Sequence, residues 1–250
     1  MEFLQVVPYD GITAEDLARR CGLRQCICLR RVTSTMDIVH EMGAQGESET
    51  LVLADEQLGG RGRMGRKWSS PKGKGIWMGY LAKMDEAPTA GLLSLRVGLA
   101  VIETLLELDV STKLKWPNDV MLGDRKVAGI LCEAKGNDSW DWIAVGIGIN
   151  VHGPVPADLR SVAASLDEAA SDITRVAVLE RLVPRLIGVS GEAKLTVAER
   201  ALFESHDWLR GRQILEPVKG FASGVSAEGG LLVDTGSKME KVLGGSVVAA

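Results

Sequence analysis

Paired cysteines are missing from this 250-residue sequence: its four, Cys21, Cys26, Cys28 and Cys132, include no CxxC pair. That spacing excludes a disulfide framework or a cysteine zinc site as the organising feature, and it points to a reducing cytoplasm. Long apolar runs are also missing, none approaching the ~18 residues that a membrane helix needs. The segment after Met1 carries Glu2 and Asp10 where an export signal has basic and apolar regions, so a soluble, unexported chain with no membrane partner is expected. There is no strong charge excess either. With a net charge of −4, any anion-binding function must come from a local basic cluster, and one lies between Arg61 and Lys74. What is present is an ordinary globular balance, 46% hydrophobic and 25% charged, which leaves room for a large domain and a small one.

Residues 14–20 read as a short helix capped at Thr13 and stopped near Gly22. The helix resembles the start of a helix-turn-helix. Only about 24 residues precede the next element, however, and a DNA-reading module of that kind needs roughly two to three times that length. Residues 1–24 are therefore expected to be an extension, and DNA is not an expected partner. An apolar strand at 26–29 leads to Ser34-Thr35-Met36-Asp37, whose S-x-x-D spacing predicts a capping box opening a helix through Ile38 and Met42. Strands are predicted at 50–54 and 76–81, separated by a structureless Gly- and Arg-rich loop at 57–74 whose length suggests function.

Leu95, Leu99, Ile102, Leu105 and Leu106 recur at helical spacing, predicting an amphipathic helix that covers one sheet face. Strands at 114–116, 127–134 and 140–149 follow, with Gly123-Asp124 and Asn137-Asp138 as tight turns. Residues 179–208 read as largely helical. After Gly211 the period becomes alternating, marking a boundary near Leu209 and leaving enough chain for a small β-barrel supported by the main domain. The fold class expected is α+β with a mixed, mainly antiparallel sheet flanked by helices, divided as 1–24, 25–208 and 209–250.

Gly60-Arg61-Gly62-Arg63-Met64-Gly65 fits the dinucleotide fingerprint G-x-G-x-x-G in form, but it runs into Arg66, Lys67, Trp68 and a Ser-Ser-Pro loop instead of a helix. An anion clamp fits better: the glycines permit close folding, and Arg61, Arg63 and Arg66 supply forked donors for carboxylate and phosphate oxygens. Lys115-Trp116-Pro117-Asn118-Asp119 places a cation, an indole, a rigid turn and two oxygen-bearing side chains at a strand end. There Trp116 reads as core, and Asn118 and Asp119 read either as turn caps or as contacts to a nucleotide and its magnesium. Lys126 opens an apolar strand, and its ammonium either snorkels to solvent or stands beside a carboxylate being activated. The alternating glycines of residues 145–150 leave one strand face bare for a flat ligand or a second backbone.

Taken in order, Ser34-Thr35, Gln57, the 60–68 loop, 115–119, 126–131 and 146–150 closely resemble the successive signatures of biotin protein ligases, strongly over about residues 25–150 and weakly beyond. The resemblance implies the ligase catalytic domain followed by an SH3-like barrel, with biotin and ATP as substrates, Mg2+ as cofactor and the apo form of a biotin carboxyl carrier protein as partner. Carried over by position, it places Ser34, Thr35, Met36, Gln57, Arg61, Gly62, Arg63 and Lys126 around biotin and its adenylate. Arg63, Arg66, Trp68, Asn118 and Lys126 would meet the nucleotide, with Lys126 and Arg63 catalytic and the metal ligands unassigned. Met36 stands where many members have asparagine, so a backbone contact is implied there. Lipoate or octanoate transfer on the same fold is the alternative, a biotin-responsive repressor a more distant one, and a homodimer through an exposed sheet edge is a further expectation.

Overall fold

In a computed structural model the described residues are 5–82, 89–136 and 141–250. Thr13 accepts the Asp16 N–H at 3.1 Å and Gly22 ends the helix in a left-handed conformation, so α1 (Ala14–Cys21) begins and stops as its sequence predicts. Then come β1 (Gln25–Leu29), α2 (Thr35–Ala44), β2 (Thr50–Ala54), β3 (Gly75–Ala82) and α3 (Ala90–Leu106). A hairpin of β4 (Lys113–Lys115) and β5 (Asp119–Leu122) precedes the long strands β6 (Arg125–Gly136) and β7 (Asp141–Asn150). Helices α4 (Arg175–Ile187) and α5 (Val197–His206) complete the main unit. Strands β8 (Gln213–Glu216), β9 (Gly220–Val225), β10 (Leu231–Asp234), β11 (Met239–Val242) and β12 (Val248–Ala249) form the C-terminal one.

The main sheet runs β1-β2-β3-β7-β6-β5-β4, antiparallel except for the parallel β1/β2 pair. In β2 the period of two sorts its side chains: Leu51 and Leu53 join the core shared with α3, whereas Val52 and Ala54 join Met36 and Val39 under α2. The C-terminal unit, expected as a small barrel, is a five-stranded antiparallel sheet of open order β11-β10-β9-β8-β12. Trp116 ties the two units, donating its indole N–H to the Gly229 carbonyl at 2.9 Å. Among the described residues no helix is long and apolar enough to cross a membrane.

Several elements differ from expectation for identifiable reasons. Helix α3 is buried on nearly every side instead of on one stripe, because α4, α5 and the Gly229 turn cover what would otherwise face water. Within it, Arg96 donates to Glu199 at 2.8 Å and to the carbonyls of Ser190, Glu192 and Lys194, so it pins residues 190–194 and divides the predicted 179–208 helix into two. Strand β5 escaped because Asp119–Leu122 is only four residues long, too short to show a period, and Gly123-Asp124 joins it to β6. Trp140 and the Asn137-Asp138 turn lie outside the described residues.

Residues 5–24 pack on the main unit: Tyr9, Leu17 and Cys21 enter its core, and Val7 N–H donates to the Cys28 carbonyl at 3.0 Å along the outer edge of β1. At the other edge Trp208 N–H donates to the Leu114 carbonyl of β4 at 3.1 Å. Both edges available for an edge-to-edge homodimer are thus partly covered by this chain's own backbone.

The chain crosses to the C-terminal unit beside Asp207, whose carboxylate is buried, accepts the Leu209 N–H at 2.8 Å and leaves its other oxygen without a hydrogen bond. Burial pushes its pKa up from 3.8 to about 6. Since the folded value exceeds the unfolded one, this group favours folding below about pH 4 and loses that advantage as pH rises through 6. Asp207→Asn is therefore expected to stabilise the protein at pH 8 by about 2 kcal/mol, a gain that fades as pH falls through 6 toward 4. Urea unfolding at pH 8 and pH 4.5 checks this, and an equal gain at both would refute it.

Candidate active site

Ser34, the N-cap of α2, takes the Met36 N–H at 3.3 Å, while Asp37 turns away to pair with Arg61 at 2.6 Å. The predicted capping box is thus a single cap, because a guanidinium is a stronger partner for the carboxylate than a neutral amide. Thr35 donates both its backbone N–H and its hydroxyl to Gln57 Oε1, at 2.9 and 3.1 Å, and Gln57 Nε2 donates to Ser70 at 2.8 Å. These contacts fix a polar wall at the start of α2.

The 57–74 loop, expected to be structureless, folds back on itself as a flap. Gln57 N–H reaches the Ser70 carbonyl at 3.1 Å, Trp68 N–H the Gly60 carbonyl at 2.8 Å, and Gly62 N–H the Arg66 carbonyl at 2.7 Å, with a short helical turn Arg63–Gly65 at the tip. Its glycines concealed this pairing by removing any hydrophobic period. A Cβ at Gly60 would lie 2.5 Å from the Trp68 carbonyl oxygen, so the two arms approach this closely only with glycine there. Each arginine has its own anchor: Arg61 on Asp37 of α2, Arg63 on Asn118 Oδ1 at 3.0 Å, and Arg66 on Ser246 of the C-terminal unit.

The bare strand face predicted from the alternating glycines is covered by the chain's own side chains. A Cβ at Gly148 would lie 2.3 Å from Trp68 Nε1, one at Gly129 would lie 2.9 Å from the same indole, and one at Gly146 would lie 2.8 Å from Met36 Sδ. The Trp68 N–H is buried there without a hydrogen-bond partner. Lys126 Nζ lies 5.0 Å from the Trp68 ring centroid and 2.6 Å from Asp119. It belongs to β6, an inner strand, and not to a sheet edge. Its backbone is held further by Val162 and Ala164, at 2.8 and 3.0 Å.

Ser34, Thr35, Met36, Gln57, Arg61, Gly62, Arg63, Arg66, Trp68, Asn118 and Lys126 all line one cavity of about 540 Å³. Within a chain of net charge −4, its walls carry six basic side chains, three of them flap arginines, against the two carboxylates of Asp119 and Asp124. Such a chamber concentrates field on an anionic ligand.

Sequence reasoning left out Lys115, which also lines the cavity. Burial lowers its pKa, partly opposed by Asp119, with Lys126, Arg212 and Arg66 lowering it further, and its ammonium rests 4.9 Å from the Trp208 ring centroid. The KWPND spacing signalled a cation there without showing its direction. Gly245, Ser246 and Val247, from the C-terminal unit, could not be placed at the cavity by any local pattern.

Residues 28–150 match the Biotin/lipoate A/B protein ligase family. The Bacillus subtilis bifunctional ligase/repressor BirA is 32% identical over 228 residues, covering 84% of this chain and 70% of that protein. The Mycobacterium tuberculosis biotin–[acetyl-CoA-carboxylase] ligase is 31% identical over 91% of this chain and 90% of its own length. Among solved structures, the Aquifex aeolicus biotin protein ligase in complex with biotin and ATP superposes with a TM-score of 0.75 and 31% identity, covering 91% of this chain and 99% of that one. With the fold, the cavity and these relatives in agreement, the chain belongs to the biotin/lipoate A/B protein ligase family and is a biotin protein ligase.

Proposed function

We propose that the cavity binds biotin against the start of α2 and ATP against the Trp68–Lys126 wall, forms biotinyl-5'-AMP, and passes the acyl group to one lysine of an apo biotin carboxyl carrier protein. The carrying observation is that one chamber joins the Thr35–Gln57 wall, offering hydrogen-bonding groups of fixed orientation, to a cation-rich wall that fits phosphate. A biotin carboxylate oxygen attacks the α-phosphorus, the bond to the β-phosphate breaks, and pyrophosphate leaves. The carboxylate is a weak nucleophile, so positioning and charge neutralisation are the protein's tasks. Lys126 serves them in this step, while the flap arginines hold and shield the adenylate once it has formed. In the second step the carrier amine attacks the acyl carbonyl and AMP leaves, with Lys126 stabilising charge on the carbonyl oxygen.

Among the described residues no group of three or more His, Cys, Asp or Glu side chains gathers as a metal cage. Magnesium held chiefly by nucleotide phosphates and water needs only one or two carboxylates, and Asp119 in the cavity wall fits that role. When bound, the ion would neutralise phosphate charge. A reducing, cytoplasmic setting accords with four buried, unbridged cysteines.

Incubation with biotin, Mg-ATP and an apo-carrier, read by intact mass, tests the proposal: a biotin adduct on one carrier lysine supports it, and an unmodified carrier refutes it. Calorimetry with biotin against lipoate separates biotin transfer from the alternative. The flap is expected to gain amide-exchange protection at residues 60–68 when biotin and ATP are present, because its tip is exposed and held by few backbone bonds. Equal protection in both states would count against closure.

A further inference from the structure

Arg175 lies outside the cavity yet touches both stems of the flap that covers it. It is the first residue of α4, and its side chain is only 6% exposed. Nε donates to Asp10 Oδ2 at 2.9 Å, and a second nitrogen pairs with the other Asp10 oxygen. The third nitrogen donates to Asp55 Oδ1 at 3.0 Å and to the Gly75 carbonyl at 3.3 Å. The guanidinium also stacks 4.3 Å from the Tyr9 ring centroid, and the Tyr9 hydroxyl donates to the same Gly75 carbonyl at 3.4 Å.

Asp55 directly follows β2, and Gly75 is the first residue of β3. The whole flap therefore hangs between two residues held by one planar cation, with its neck closed by Gly73 N–H to the Asp55 carbonyl at 3.1 Å. The guanidinium meets Asp10 with two nitrogens and Asp55 and Gly75 with a third, so its rigid fork sets their spacing, whereas the three donors of an ammonium share one nitrogen and cannot reproduce that fork.

We propose that Arg175 is a positioning residue for the flap, setting from outside the register in which Arg61, Arg63 and Trp68 meet the cavity and thereby the retention of the acyl-adenylate. Tyr9 and Asp10 complete its seat, which gives the N-terminal residues a part in the reaction as well as in the core. This inference rests on reading the flap as a clamp over biotinyl-AMP. A purely structural Arg175 would instead make its loss lower stability and all activities together.

The experiment uses the full chain with Arg175→Lys and Asp10→Asn, alongside Arg63→Gly and a control, Val183→Ala, that opens the α4 core away from the stems. For each variant the thermal midpoint, pyrophosphate release and biotinylation of an unrelated lysine-rich protein are measured, the last expressed per pyrophosphate released. Expected is a several-fold rise of that ratio in Arg175→Lys and a smaller rise in Asp10→Asn, with the ratio unchanged in Val183→Ala despite its lower midpoint. If Arg175→Lys does not fold, Asp10→Asn decides, since it keeps the arginine and removes only part of its seat. A raised ratio in Arg63→Gly with parent ratios in the folded Arg175 and Asp10 variants would overturn the positioning role and leave the clamp intact. A parent ratio in Arg63→Gly as well would overturn both.

Discussion

Lys126→Ala is expected to slow biotinyl-adenylate formation by about 10²–10³-fold while leaving the chain folded, the loss typical of removing one donor aimed at developing charge. The side chain adds little to packing: it is 29% exposed, and its ammonium pairs with the Asp119 carboxylate and faces Trp68. Its backbone bonds to Val162 and Ala164 do not depend on the side chain, so the inner position of β6 survives truncation. Asp119, 26% exposed, regains water when its partner goes, which limits the stability cost of the unpaired carboxylate. The chemistry has no such substitute. Lys126→Met separates charge from shape and is expected to behave like alanine. Pyrophosphate release at saturating biotin and ATP, beside circular dichroism for the fold, gives the answer. A folded variant releasing pyrophosphate at the parent rate would remove Lys126 from the mechanism.

The legible parts of this chain were those set by neighbours in sequence. Thr13 and Ser34 cap helices because a hydroxyl reaches an N–H two or three residues on, and β2 alternates between two cores because its period of two is written locally. The candidate site residues were named from ordered short motifs, and the fold brings them to one cavity. What escaped depends on distant partners. Helix α3 looked amphipathic because its own pattern cannot report that α4, α5 and Gly229 cover its other faces. The glycines of β7 implied a face left bare for a ligand or a second backbone, whereas the chain's own Trp68, from about eighty residues earlier, covers it. Arg175 lies before the predicted 179–208 helix and carried no signal of its own, and only the tertiary fold reveals Asp10, Asp55 and Gly75 around it.

Arg63→Gly is expected to preserve adenylation and to lose control of its product. Arg63 donates to Asn118 Oδ1 at 3.0 Å, and Asn118 is fastened to β6 through Nδ2 to the Ile130 carbonyl at 2.7 Å and its own carbonyl to Ile130 N–H at 3.0 Å. The flap tip is thus tied to the cavity floor through a rigid intermediate. Glycine removes that tie and the donors that would meet the adenylate, while Lys126, Trp68 and the Thr35–Gln57 wall remain. Losing one charge-assisted hydrogen bond, worth roughly 1.5–3 kcal/mol, corresponds to roughly ten- to hundredfold faster escape of biotinyl-AMP if its whole effect falls on release. Free mixed anhydride acylates any accessible amine, so escape appears as biotin on proteins that are not the carrier. Mixing the variant with biotin, Mg-ATP and an unrelated lysine-rich protein is therefore expected to give bystander labelling well above the parent level, with pyrophosphate release maintained. A merely structural arginine would instead lower the thermal midpoint and depress carrier labelling, bystander labelling and pyrophosphate release in parallel. If the folded variant makes adenylate and still labels only the carrier, Arg63 does not close the clamp.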